Sequence, residues 1–205
     1  MSKKNRDTAW FDREKLPNAM LSANFASLEN ADHFPALKDC FSVIKDNAKS
    51  IIDIGCGTAE ASKVFTEYEY FGADLPHIIE KVSKQRNPNE QYISFNASNA
   101  DFSFLQGKDV VLMNSFISEL SDWYLVMTKI LVNSKKYVIL HRQEVTKSSS
   151  YLQEYTTYGE LRTIKSVINE EQLHRLFYMN EFKVLKESSS FPYNSNHKTY
   201  LLEKE

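Results

Sequence analysis

Cysteine is nearly missing from this chain: its 205 residues hold two, Cys40 and Cys56. They have no metal-ligand spacing and cannot make a disulfide framework, so reduced thiols are the expected state. An excess of either charge is missing too. Lys and Arg number 25 against 27 Asp and Glu, for a net charge of −2 and a pI near 6.2. No general attraction to nucleic acid or to an anionic membrane is built in, although a local basic patch stays open. Apolar runs are short and broken by charge, so none can span a bilayer. The polar start Met1-Ser2-Lys3-Lys4-Asn5-Arg6 lacks the apolar core of a signal peptide. A cytoplasmic protein is expected, and no internal repeat is visible. Glycine is scarce, with 5 in all, and two of these stand one apart at 55 and 57.

What the chain does have is enough apolar material, 42%, for one well-buried core, and one domain is expected. Its organising stretch is Ser50-Ile51-Ile52-Asp53-Ile54-Gly55-Cys56-Gly57-Thr58-Ala59-Glu60, which reads as a strand, a tight turn and a helix start. Glycine tolerates positive φ and leaves no Cβ in the way, so the backbone can turn sharply and come close to a ligand. Asp53 can offer a carboxylate there. Glu69-Tyr70-Phe71-Gly72-Ala73-Asp74 then reads as a second strand ending in an acid, which completes a βαβ unit. A carboxylate at that place faces the ribose hydroxyls of a nucleoside held over the strands' C-terminal ends.

Asp53-Ile54-Gly55-Cys56-Gly57-Thr58-Ala59 followed by Asp74 resembles the cofactor signature of the class I S-adenosylmethionine-dependent methyltransferases, with Ala59 in place of that pattern's third glycine. The resemblance implies an α/β, Rossmann-like three-layer sandwich whose mostly parallel seven-stranded sheet has a reversed last strand. It implies a methyltransferase domain over 31–205, with residues 1–30 standing outside it. It also implies S-adenosylmethionine as cofactor and S-adenosylhomocysteine as product. Asp53, Gly55, Cys56 and Gly57 would meet the amino-acid part of the cofactor and Asp74 with Leu75 the ribose. Asn96 and Ala97 would meet the adenine, and Asn114 and Ser115 the methionine end. Members that bind magnesium carry aspartates after the fourth and fifth strands, where this chain has Asn114 and His141, so a metal-independent reaction is expected. The acceptor implied is a small molecule, a sugar or related metabolite, with neither nucleic acid nor membrane as partner.

Taken in order, residues 1–30 are polar with scattered aromatics and read either as an arm packed on the domain or as a lid. Phe34, Leu37, Phe41 and Ile44 recur at helical spacing before the first strand. Ala61, Val64 and Phe65 give a helix after the turn its inward stripe, and Pro76 opens another helix with Leu75, Ile78, Ile79 and Val82 on one face. Strands are expected at 91–95, 108–113 and 137–141, with a helix between the last two whose wide apolar face includes Leu120, Trp123, Tyr124 and Met127. Residues 142–166 read as a long polar and aromatic loop. Asn169-Glu170-Glu171-Gln172 looks like a capping box, and the segments at 182–185 and 198–202 should pair antiparallel.

Methyl transfer mainly demands that the acceptor lie in line with the breaking bond, and an oxygen or nitrogen acceptor often needs a base as well. His141, ending the fifth strand, is the candidate base; a hydrogen-bonded core histidine is the competing account. Arg142 can bind a carboxylate or phosphate on the acceptor, or form a surface ion pair. Tyr155 and Tyr158 can stack on a ring or sugar, or anchor their own loop. Glu119 reads as a solvated helix residue, and Asn96 equally as a turn former. Two other functions compete. A nicotinamide-dependent oxidoreductase would want a glycine where Glu60 stands, and a non-catalytic S-adenosylmethionine-binding sensor or partner subunit would need no base at all.

Overall fold

The computed structural model describes residues 9–23, 27–159 and 161–205; the polar start Met1–Arg6 and Phe25 lie outside them. Helix α1 (Lys15–Ser22) and α2 (Phe34–Ile44) precede strand β1 (Ser50–Ile54). The glycine turn leads into α3 (Ala61–Val64), a single turn of helix, and then β2 (Glu69–Asp74). Pro76 opens α4 (Pro76–Ile78), where its missing N–H costs nothing, and the segment continues through a π turn (Ile79–Ser83) into α5 (Lys84–Arg86). After β3 (Gln91–Ser94) and β4 (Val110–Asn114), a 3-10 turn at Ile117–Glu119 leads into α6 (Trp123–Asn133) and β5 (Tyr137–Thr146). Then come β6 (Tyr151–Thr157), β7 (Leu161–Asn169), α7 (Glu170–Met179), β8 (Phe182–Phe191) and β9 (Asn194–Lys204).

β3, β2, β1, β4 and β5 are parallel neighbours in that order. β9 runs antiparallel beside β5 and pairs in turn with β8, which gives the expected reversed final strand. Neighbouring residues of each inner strand point to opposite faces, so Ile51, Val110 and Ile139 pack with Leu37, Cys40, Phe41 and Ile44 of α2. Ile52, Val111 and Val138 pack instead with Val126, Met127 and Ile130 of α6 and Leu173, Leu176 and Phe177 of α7. The Asn169 side chain accepts from the Gln172 N–H at 2.7 Å and so caps α7.

Three expectations change. Among the described residues the sheet has 9 strands, not seven, because residues 142–166 do not form a loop. They lengthen β5 and build the antiparallel β6–β7 hairpin around Tyr158 and Gly159, and β7 joins β5 at Val145 and Thr146, beyond the point where β4 ends. Their Tyr, Thr, Val and Ile content is strand-forming, and that preference outweighs their polarity. The helix after the glycine turn is one turn long because Phe65 leaves helical geometry at φ −103, ψ 54. Finally, the apolar face of α6 is narrower than expected: Tyr124 is exposed, and Leu120 precedes the helix.

Candidate functional site

A cavity of about 350 Å³ opens beyond the C-terminal ends of the parallel strands. The glycine turn, Asp74, Leu75, Asn96 and Ala97 line one side of it. Asn114, Ser115, Phe116, Glu119, Arg142, Tyr155 and Tyr158 line the other. Trp10, Phe11, Leu16 and Met20 close it from the N-terminal arm. That arm is seated where Leu16 and Met20 pack on Ile78 and Val82, and the Trp10 carbonyl meets His77 Nε2 at 3.1 Å.

On the first side the chain turns at Gly55 (φ 73) and Gly57 (φ 52), in the left-handed region that glycine enters without strain. A Cβ on Gly55 would lie 2.5 Å from the Phe116 ring. Asp74 Oδ2 accepts from the Gly57 N–H at 2.8 Å and Oδ1 from the Leu75 N–H at 2.7 Å, so the acid ties the turn to the end of β2. Burial pushes its carboxyl up to about 6, while those two N–H groups pull it down. Each oxygen keeps a second acceptor position, which suits the hydroxyls of a ribose. Asn96 lines the cavity and also forms its own turn, its Oδ1 accepting from the Ser98 N–H at 3.1 Å.

Asp53 and Cys56 do not line the cavity. Asp53 lies on the α2 face of β1 and accepts the Tyr70 hydroxyl at 2.8 Å, while its Oδ1 is buried with no hydrogen-bond partner among the described residues. Burial pushes its carboxyl up to about 7. The Cys56 thiol is turned toward Ser83, with Sγ 3.8 Å from Oγ, and burial raises it as well.

The second side overturns the base expected from sequence. His141 is fully buried and does not line the cavity. Its Nε2 meets His33 Nδ1 at 2.9 Å and its Nδ1 meets Thr199 Oγ1 at 2.7 Å, so neither ring nitrogen is left for an acceptor. Burial, with His33 and Arg142 nearby, holds it neutral and well below the usual histidine range. The competing account, a satisfied core histidine, is the correct one.

Glu119, not His141, lines this side of the cavity. It is half-buried in the cavity wall instead of solvated, and it accepts the Tyr155 hydroxyl at 2.5 Å. Burial pushes its carboxyl up to about 7; the Tyr155 bond and the charges of Lys165 and Arg142 oppose that shift. Arg142 lines the wall beside it, its Nε donating to Asn114 Oδ1 at 2.8 Å. Among the described residues, five non-glycine ones have positive φ: Ala59, Ser115, Arg142, Tyr158 and Glu181. Ser115, Arg142 and Tyr158 among them line the cavity, and backbone strain of this kind gathers at functional sites. Glu119 sits in a short turn with no motif of its own, and its place a few residues past the end of β4 is the one sequence signal that could have found it.

Away from the cavity, Glu170, His174 and Glu187 bring ligand atoms within 4.8 Å of one another. Lys198 Nζ lies 2.9 Å from Glu187 and 3.8 Å from Glu170, so a lysine already supplies the positive charge there. No helix among the described residues is long and apolar enough to cross a membrane.

No protein-family model matches the sequence, and no curated protein matches it. Solved structures do match. One is CalS10, an amino pentose methyltransferase from Micromonospora echinaspora solved with S-adenosylmethionine, at a TM-score of 0.63 and 10% identity over 90% of this chain and 99% of that one. The N-terminal domain of EvdMO1, solved with S-adenosylhomocysteine and D-fucose, matches at 0.61 and 13% over 97% and 99%. The magnesium protoporphyrin IX methyltransferase of Synechocystis PCC 6803, with bound S-adenosylhomocysteine, matches at 0.61 and 10% over 97% and 96%. At these identities the likeness is one of fold, and the chain has the Rossmann-like fold of the class I S-adenosylmethionine-dependent methyltransferases.

Proposed function

We propose that this protein is an S-adenosylmethionine-dependent methyltransferase that methylates a hydroxyl or amine of a small molecule, a sugar or related metabolite, without a metal. The observation that carries the reading is Glu119: a half-buried carboxyl near neutrality, set in a ligand-sized cavity across from the glycine turn and Asp74. A protein that only senses the cofactor has no use for such a group. CalS10, whose acceptor is an amino pentose, and EvdMO1, solved with D-fucose, have the same fold, which supports the sugar reading.

The Gly55–Gly57 turn would hold the amino-acid part of the cofactor and Asp74 the ribose, with Leu75, Asn96 and Ala97 around the adenine. Asp53 and Cys56 would act behind the turn, by shaping it. When bound, S-adenosylmethionine supplies a methyl on a sulfonium; the acceptor's lone pair takes the methyl and the bond's electrons return to sulfur, which leaves S-adenosylhomocysteine. Glu119 takes the proton that the acceptor loses. Tyr155 orients that carboxylate, and Tyr155, Tyr158 and Trp10 give the acceptor a wall to stack on. The arm around α1 acts as the lid that excludes water. The sulfonium already carries the positive charge that makes it a leaving group, so no step calls for a Lewis acid.

Calorimetric titration with S-adenosylhomocysteine, with NAD and NADH as controls, tests the reading. Selective binding of S-adenosylhomocysteine is the expected result. Folded protein that binds none of the three sinks the methyltransferase reading, and binding of NAD or NADH alone would replace it with the oxidoreductase one.

A further inference from the structure

On the methyltransferase reading, the wall beside Glu119 narrows the class of acceptor. Three formally charged side chains line the cavity, Asp74, Glu119 and Arg142, so Arg142 is its one cation among the described residues. A guanidinium has five N–H donors and keeps its proton even when buried. Arg142 uses one of these, Nε, on the neutral Asn114, and forms no ion pair within 4.0 Å among the described residues. Its backbone is held in the left-handed region at φ 56, with its N–H donating to Ser190 Oγ at 3.2 Å. Ser190 in turn meets Thr199 at 2.9 Å, the same Thr199 that bonds His141. A strained residue anchored this firmly, whose cation faces a cavity and has no ion pair among the described residues, calls for an anion from the ligand.

The charge count selects the anion. A phosphate dianion would add two negative charges to a cavity that already holds two acids and a single cation, whereas a carboxylate matches the guanidinium one to one and fits its planar fork. We infer that the acceptor is a carboxylic acid, in the sugar reading a sugar acid, whose carboxylate pairs with Arg142 while its nucleophilic hydroxyl or amine faces Glu119. Seating the acceptor then does a second thing. The charge of Arg142 helps to keep Glu119 ionised, and a carboxylate on Arg142 cancels that help, so Glu119 becomes a stronger base when its substrate is in place.

The test uses the full chain saturated with S-adenosylhomocysteine, titrated with D-glucuronate and D-galacturonate against D-glucose, D-galactose and glucose 6-phosphate. At least one uronate should bind tenfold or more tightly than its neutral parent and more tightly than the phosphate. Arg142→Gln should abolish that preference and leave S-adenosylhomocysteine affinity within twofold. Arg142→Lys, which keeps the charge and loses the fork, should retain part of the preference, and circular dichroism verifies that both variants fold. Uronates that bind no better than neutral sugars overturn the inference, as does tighter binding of the phosphate. A third adverse result would be an Arg142→Gln variant that loses S-adenosylhomocysteine while keeping 5′-methylthioadenosine, because the guanidinium would then hold the cofactor's own carboxylate. If the wild-type protein fails to bind S-adenosylhomocysteine at all, the methyltransferase reading falls first, and the two failures stay distinct.

Discussion

The β1–β2 side of the cavity and the β4–β7 side each present an acid to the ligand space, but they hold it in different ways. Asp74 is fixed by backbone N–H groups 17 residues and one residue away, inside a single βαβ unit. Glu119 is fixed by the hydroxyl of Tyr155, 36 residues away on a hairpin that has to fold back over the end of β4. Burial raises both acids, one to about 6 and the other to about 7. The first is pinned by dipoles that favour its charged form, as befits a binding group. The second has one phenolic partner, and that bond with the charges of Lys165 and Arg142 only partly offsets burial, which leaves it able to take a proton near neutral pH.

That contrast is most exposed at Glu119. Glu119→Gln should lower kcat by ~10²–10⁴-fold, the usual worth of a positioned general base, with S-adenosylhomocysteine affinity unchanged. In the unsubstituted protein the methylation rate should climb with pH through about 7, since the proposed base must be ionised to act, and that rise should vanish in the variant. Equal turnover in both would remove Glu119 from the chemistry.

Gly55→Val tests the other side. It forces a β-branched residue to φ 73, at roughly 1–2 kcal/mol of strain, and sets its Cβ against the Phe116 ring. Relieving that strain and contact shifts the turn away from the cavity, so S-adenosylhomocysteine affinity should fall by ~10-fold or more, the equivalent of about 1.4 kcal/mol. Undiminished binding by a folded variant would show that the turn is not where the cofactor sits.

The smallest effect belongs to Asp53, an acid that neither side uses directly. Its folded carboxyl lies at about 7, above its ordinary value, so the fold favours its protonated form. That stability is present at low pH and is lost as pH rises through about 7. Asp53→Asn should therefore melt above the unsubstituted protein at pH 8. The gap should narrow at pH 5 by ~2–4 °C, the shift that about 1 kcal/mol produces in a chain of this size. Cofactor affinity should stay within twofold. A tenfold loss would mean that this acid acts on the ligand through the turn.

Why one side could be read from sequence and the other could not follows from the same contrast. Ser50–Ile54, Gly55, Gly57 and Asp74 lie within one βαβ unit, so strand pattern, turn chemistry and acid position reinforce one another locally. His141 was expected at a strand end, but β5 runs on to Thr146, and strand position says nothing about which face a side chain takes once β9 closes over it. Glu119 looked solvated because the tyrosine that covers it belongs to a stretch whose polarity suggested a loop. The Tyr151, Tyr155, Thr157, Thr163 and Val167 pattern around Gly159 is the strand signal that could have revealed the hairpin.

The sequence by itself determined the alternating order of elements, the reversed last strand and the turn that lines the cavity, because apolar periodicity and glycine placement act over a few residues. The tertiary structure alone decided that Glu119 lines the cavity with a raised carboxyl, that Arg142 faces it with no ion pair among the described residues, and that His141 stays in the core. Burial and electrostatic environment come from residues far apart in the chain, and they are settled only when β6, β7 and β9 pack around the end of β5.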